Sequence, residues 1–399
     1  DFRMRIVEQP EPEVNELISR PDFFGYICVH IIPPKNLFHP VLVTWTEEVG
    51  KCTAKLEEIK EGVFTTEEFK VAIQKGYKCV KIFRYDQYNR APGLWKDFIL
   101  DLYIKKMASS GPPPETEEEQ QRIVQSYADL FGEEYGNKIR QSFKDWAYRP
   151  AARQVYKIML NSVWGKHCQR PVMPRAQMLH GEDYQEWYDL YANIEAGNTV
   201  VTKFVPVGDR FLINTNRSQE QKTFLDFHDS YLPAGAYVPA YGRLMLYEML
   251  DKLGKRVLYH DTDSIIYVYD PLQFNIPMND IWGTWDEEKI SKEGIEEFVS
   301  TGPKSYAIKT TKSETVKLKG VSIKHSHRFL INFSTIKKLV FDTLDGVFAG
   351  LQIPQYKFNY KIGQGIKTEE YHKSFKFHST DLKGDLGPDL YVYPKGYQE

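Results

Sequence analysis

Apolar positions along the chain switch between two periods, and the switches mark out its elements. Phe24–Ile32 and Val41–Trp45 are rich in β-branched and aromatic residues and are split by Pro33-Pro34, which predicts two strands. Thr65 and Glu68 have the spacing of a capping box, an apolar stripe follows at Phe69, Ala72 and Ile73, and Gly76 closes that helix. Tyr77–Tyr85 reads as a further strand. From Gly93 the spacing turns helical. Leu94–Met107 keeps an apolar face through Leu94, Phe98, Leu102 and Ile104, and the prolines of Ser109–Pro114 end it. Glu115–Tyr135 is acidic, with Arg122 its only base, and predicts a solvated helical excursion. Lys138–Arg170 is a second long helical segment, interrupted near Pro150. Residues 171–228 mix strand and loop signals. Ala234–Leu253 reads as a helix leading into a hairpin, Arg256–Tyr269. Asp286–Phe298 is expected to be another helix and Ser305–Ile323 a β-hairpin. Strand clusters split by helical insertions define an α+β chain of several subdomains.

Composition narrows the class. A chain of 399 residues with net charge −2 is no small, uniformly basic DNA-coating protein, yet a locally basic channel is compatible with it. Cys28, Cys52, Cys79 and Cys168 form no CxxC pair and read as thiols of a reducing compartment, which points to an intracellular protein. No stretch approaches the ~20 apolar residues of a membrane span, and no secretory leader is visible. The first residue is Asp1, not Met, so a fragment is expected.

Three strings carry chemistry. Between the apolar strands Val257–Tyr259 and Ile265–Tyr269 lie only His260 and the turn Asp261-Thr262-Asp263-Ser264. Two carboxylates two apart at such a turn suit Mg²⁺, which takes hard oxygen ligands; Asp and Ser are also ordinary turn formers. In the helix after Pro150, Val155, Ile158, Met159 and Val163 form one apolar face. Arg153, Lys157, Asn161 and Trp164 form a separate stripe roughly 80° wide. That stripe suits a polyphosphate or a merely solvated face, although Asn161 and Gly165 are poor helix-interior choices. From Thr301 to Arg328 run Lys304, Lys309, Lys312, Lys317, Lys319, Lys324 and Arg328 against the single acid Glu314. This fits a nucleic-acid backbone or an edge hairpin kept soluble by lysine.

Tyr259-x-Asp261-Thr262-Asp263-Ser264 resembles motif C of family B DNA polymerases. Lys157-x-x-x-Asn161-Ser162-x-Trp164-Gly165 resembles their motif B, with Trp where Tyr is usual. Lys304-x-Tyr306 resembles their Lys-x-Tyr motif, and Lys317–Gly320 follows as their next basic strand does. Leu94–Lys106 is similar to the helix entering the fingers of the protein-primed subgroup, and Ala240-Tyr241-Gly242-Arg243-Leu244 to the palm helix before motif C. The resemblance covers nearly the whole chain and points to the polymerases of bacteriophages, adenoviruses, linear plasmids and Maverick or Polinton-type elements.

The resemblance implies a right-hand polymerase fold: a palm with a mixed or antiparallel sheet, helical fingers and a small thumb. Residues 1–92 and 229–330 would be palm, 93–170 fingers, 171–228 a strand-displacement insertion and 331–399 thumb. Asp261 and Asp263 would be catalytic and bind metal. Arg153, Lys157, Asn161, Trp164 and Gly165 would bind the deoxynucleoside triphosphate. Tyr259, Thr262, Ser264, Lys304, Tyr306, Lys317 and Lys319 would face the primer and template DNA. Two Mg²⁺ ions are implied, one shared with a carboxylate of motif A, Asp-x-x-Ser-Leu-Tyr-Pro, and a terminal protein is a possible primer. No motif A string precedes motif B; Asp229-Ser230-Tyr231-Leu232-Pro233 comes after it and is read as a decoy, while Phe2–Pro12 resembles the stretch downstream of motif A. An exonuclease domain is also missing. A nuclear, viral or mobile-element replication site is implied. The rival expectation is an inactive DNA-binding remnant. A reverse transcriptase or RNA polymerase is disfavoured, since its hairpin usually reads Asp-Asp.

Overall fold

The computed structural model describes residues 4–5, 11–46, 51–168, 174–217, 231–279, 281–347, 350–361, 365–378 and 382–399. Most of the Phe2–Pro12 stretch, Arg170, residues 218–228 of the expected insertion, and Asp229-Ser230 lie outside them.

The chain opens with β1 (Met4–Arg5) and α1 (Glu11–Ser19), followed by β2 (Gly25–Ile32), β3 (Val43–Thr46), β4 (Lys51–Ala54) and β5 (Ile59–Thr65). α2 (Thr66–Gln74) and β6 (Lys78–Gln87) complete this part. An antiparallel sheet of order β1-β6-β2-β5 forms, while β3 pairs with β4 apart from it. Alternate residues of β2, namely Ile27, Val29 and Ile31, are fully buried against Phe69 and Ala72 of α2, the period-two burial of a sheet with one covered face. The capping box forms: Thr65 Oγ1 accepts the Glu68 N–H at 3.3 Å.

Next come α3 (Lys96–Ala108), α4 (Glu117–Phe131), α5 (Glu133–Ser142) and α6 (Pro150–His167). The buried face of α3 runs through Leu100, Leu102, Ile104 and Ala108, whereas Leu94 and Phe98, expected on it, are exposed. The acidic segment is helical with its carboxylates toward solvent, and one face of it is covered. Glu117, Glu118 and Glu119 occupy the first turn of α4 and Glu133 and Glu134 that of α5, where the helix dipole favours them, while Val124 and Tyr127 bury against Ile104, Ile139 and Ile281. Trp282 stacks on Tyr103 at 4.2 Å.

β7 (Arg175–His180), α7 (Tyr184–Glu195), β8 (Thr199–Val207) and β9 (Arg210–Arg217) follow, the strands in antiparallel order β7-β9-β8. Trp187 of α7 packs edge-on against Phe211. α8 (Leu232–Leu253) then leads through a 3-10 turn into the hairpin β10 (Val257–Asp261) and β11 (Ser264–Tyr267), as the periodicity predicts. The Tyr231-Leu232-Pro233 string is simply the start of α8, with proline near the helix N-terminus where its missing N–H is harmless.

The helix expected over Asp286–Phe298 does not form. One 3-10 turn at Ser291–Glu293 leads to Gly294, at φ +78°, and then to strand β12 (Ile295–Gly302). Pairing with β13 (Ser305–Thr310) overrides the local spacing, and Phe298 and Ile308 stand opposite each other. β13 is the middle strand between β12 and β14 (Glu314–Lys317), so the basic stretch is not a free edge hairpin. α9 (Phe333–Leu344) covers this sheet through Phe333 and Ile336, and β15 (Gly350–Lys361) pairs with β16 (Gly365–Lys376). The short strands β17 (Asp385–Leu386) and β18 (Val392–Tyr393) pair near the C-terminus.

The chain is α+β. It divides into two compact units, one of residues 1–157, 236–355 and 372–399, the other of residues 158–235 and 356–371. All four cysteines are free thiols. Among the described residues, no helix is long and apolar enough to cross a membrane.

Candidate functional site

The β10–β11 hairpin is rooted in a small core. Val257 of β10, with Leu246, Met249, Leu250 and Leu253 of α8 and Ile276, forms a buried cluster against which Ile265 and Tyr267 pack. Anchored at its base, the hairpin carries its polar residues to the tip. The turn closes through the Asp263 N–H, which donates to the Asp261 carbonyl at 2.6 Å, and the Ser264 hydroxyl, which donates to the same carbonyl at 3.1 Å. Thr262 sits in the left-handed region at φ +57°, an uncommon place for a β-branched residue, and its hydroxyl donates to Asp261 Oδ1 at 3.1 Å.

The Lys-x-Tyr string meets this hairpin. Lys304 Nζ lies 2.6 Å from Asp261 Oδ2, and the Lys304 N–H donates to the Tyr259 hydroxyl at 2.9 Å. The Tyr259 and Tyr306 rings are 5.1 Å apart, Phe298 completes the trio, and Lys317 Nζ lies over the Tyr306 ring at 5.4 Å. Strings some forty-five residues apart in sequence thus form one cluster. Of the other lysines of the stretch, Lys309 is taken by Glu297 at 2.9 Å, and Lys319 enters through its backbone N–H to Ser305 Oγ at 3.0 Å.

Electrostatics follow from these contacts. Partial burial opposes ionisation of Asp261, but hydrogen bonds from Lys304 and Thr262 outweigh it and hold the carboxyl below its ordinary range. Lys304, bonded to Asp261, is held above its usual range. His260 is pushed down to about 4 by the surrounding protein and by His39 and Lys383, so its ring is neutral at physiological pH.

The lysine helix differs from expectation in what it packs. Val155, Ile158 and Met159 are exposed; the half-covered stripe of α6 is Ala152, Tyr156, Leu160, Val163 and His167. Periodicity gives the spacing of a stripe but not which of two adjacent stripes meets a neighbour. Arg153 is tied to the Ser110 hydroxyl at 3.2 Å. Lys106, near the end of α3, joins the basic group, which its own stretch of sequence does not mark. Burial, and then the positive charges of Arg153 and Lys157, lower its basicity. Lys106, Arg153 and Lys157 thus lie within electrostatic reach of one another.

The second compact unit holds the other residues of the motif B string. Trp164 Nε1–H donates to the Gly235 carbonyl at 2.9 Å. Pro239, inside α8, has no N–H to give that carbonyl, so the indole fills a vacancy made four residues away in sequence. Trp164 is therefore more than a flat surface. Asn161 is exposed, and a Cβ at Gly165 would meet no atom within 4 Å, so neighbouring protein does not demand glycine there.

Asp263 is exposed at the tip of the anchored hairpin, and Asp261 beside it is partly buried with its oxygens accepting from Lys304 and Thr262; hard carboxylate oxygens of this kind are the donors that Mg²⁺ takes. Among the described residues no three His, Cys, Asp or Glu side chains converge as a ready cage.

Residues 7–123 match the family model of DNA polymerase type B, organellar and viral. The matched span holds the four-stranded sheet's β2, β5 and β6, helix α3 and the start of α4; the hairpin, α6 and Lys304 lie outside it. No curated protein and no solved structure matches the chain.

Proposed function

We propose, from the match of residues 7–123 to the family model of DNA polymerase type B, organellar and viral, that this chain carries the polymerase module of a protein-primed DNA polymerase. The observation that carries the reading is the meeting of Asp261 with Tyr259, Lys304 and Tyr306 in one cluster. The reaction is template-directed transfer of a deoxynucleotide. The primer 3′ oxygen forms a bond to the α-phosphorus, the bond to pyrophosphate breaks, and the hydroxyl proton leaves to solvent.

Asp261 and Asp263 would hold Mg²⁺, which when bound offsets charge on the attacking and leaving oxygens. The second side of a two-metal site calls for a further carboxylate, which Asp1–Glu399 does not offer in motif A form. Lys106, Arg153 and Lys157 offset the triphosphate's charge. Asn161, Trp164 and Gly165 shape the nucleotide pocket, Trp164 through its ring face, since its N–H is engaged. Lys304 and Tyr306 position the primer end; Thr262 and Ser264 hold the turn; Lys317 and Lys319 follow the DNA backbone. In this reading the chain takes the right-hand arrangement of palm, fingers and thumb, a terminal protein supplies the first hydroxyl, and residues 171–228 aid strand displacement.

A second reading, an inactive DNA-binding remnant, draws on the pairing of carboxylates from one hairpin alone. Binding separates the two. With a dideoxy-terminated primer–template and Mg²⁺, the complementary deoxynucleoside triphosphate should tighten DNA binding by about tenfold, a gain near 1.4 kcal/mol. A non-complementary one should not, and Lys157→Ala should erase the gain while leaving binary DNA affinity intact. Equal effects of complementary and non-complementary nucleotides would leave only the remnant.

A further inference from the structure

Lys304 occupies an unfavourable backbone position. Gly302 and Ser305 pair across a tight turn whose inner residues are Pro303 and Lys304, and Lys304 sits at φ +60°. Proline followed by a left-handed residue is the pattern of a type II turn, where glycine or asparagine is the unstrained choice. The strained lysine is held at both ends. Its N–H is bonded to the Tyr259 hydroxyl, and its ammonium reaches across to Asp261 Oδ2 at 2.6 Å. The other oxygen of Asp261 accepts from Thr262.

A magnesium ion sits at about 2.0–2.1 Å from its oxygen ligands. An ammonium 2.6 Å from the same carboxylate competes with it for the oxygen and repels it as a like charge. The Lys304 side chain is well exposed, so it has room to swing away. We infer that Lys304 is a built-in counter-ion for Asp261, a positioning residue that occupies the carboxylate until a primer phosphate draws the ammonium off, so that primer binding and metal loading are linked. The inference rests on the polymerase reading of the hairpin. By reciprocity, whatever primer binding does for metal affinity, metal does for primer affinity.

Metal binding without turnover tests this. Mn²⁺, followed by its paramagnetic resonance as free ion, is titrated into the full chain without DNA. Lys304→Met removes the ammonium and keeps a side chain of similar length; Lys304→Gly removes it and relieves the backbone. Both should bind Mn²⁺ roughly two- to tenfold more tightly than the wild type, the scale of one partly exposed ion pair. Primer–template should raise Mn²⁺ affinity more in the wild type than in Lys304→Met. Unchanged or weaker binding in both variants would overturn the inference. Asp261→Asn separates the two failures. If it abolishes Mn²⁺ binding while the Lys304 variants match the wild type, the counter-ion role alone falls. If it changes nothing in any background, the hairpin is no metal site, and both the role and the polymerase reading fall.

Discussion

Trp164 shows how a side chain can have a partner that its own stretch of sequence does not announce. Its place on α6 suggested a flat ring for a base or sugar, and the sequence offered no sign that the indole N–H would be needed elsewhere. The need arises from Pro239, seventy-five residues on, which leaves the Gly235 carbonyl without its helical donor. Trp164→Phe should therefore cost about 1 kcal/mol in urea unfolding, the worth of one partly buried hydrogen bond. In a Pro239→Ala background, where the helix supplies the donor itself, the same change should cost much less. Equal losses in both backgrounds would show that the hydrogen bond is not what Trp164 contributes. The Asp261–Ser264 string was easier to read, because turn chemistry is local and its flanking strands are unambiguous. Lys106 was hidden for the opposite reason: it meets Arg153 and Lys157 only through the packing of α3 beside α6.

Among the elements, those with local signals formed as expected: the capped helix α2, the strands β2 and β6, and the hairpin β10–β11 following α8. The failures share a cause. Asp286–Phe298 has helix-compatible spacing, but β13, joined to β12 by the turn at Pro303-Lys304, provides a partner strand whose pairing the spacing of one segment does not show. On α3 the buried stripe and on α6 the half-covered stripe are displaced from the expected one, since neighbours choose the stripe. One long-range link joins α2 and α8. Glu68, with its side chain nearly buried, is held by Arg243 at 2.7 Å and accepts from the Thr65 hydroxyl at 2.8 Å. Arg243→Met strands that carboxylate and should destabilise the protein by about 2–3 kcal/mol, less than a fully buried pair because Arg243 is half exposed. Adding Glu68→Gln should recover at least half of the loss. A single-variant loss within about 0.5 kcal/mol of zero, typical of surface changes, would sink this account of how α8 is seated.

At the scale of the whole molecule, the family-matched span and the hairpin cluster belong to one compact unit. The family match covers residues 7–123, and the hairpin with its lysine and tyrosines lies downstream at 259–317. The sheet of β2, β5 and β6 and the hairpin belong to the same unit, and Tyr247 of α8 is part of the sheet's core. Sequence order could supply the motifs and their succession; it could not supply the long-range packing that gathers Tyr259, Asp261, Lys304 and Tyr306. The most direct test is single-nucleotide incorporation on a primer–template with Mg²⁺, comparing the wild type with Asp263→Ala in the protein with whatever further residues its gene encodes. The account predicts a rate loss of at least about a thousandfold, roughly 4 kcal/mol of transition-state stabilisation. Extension by Asp263→Ala at the wild-type rate would contradict it.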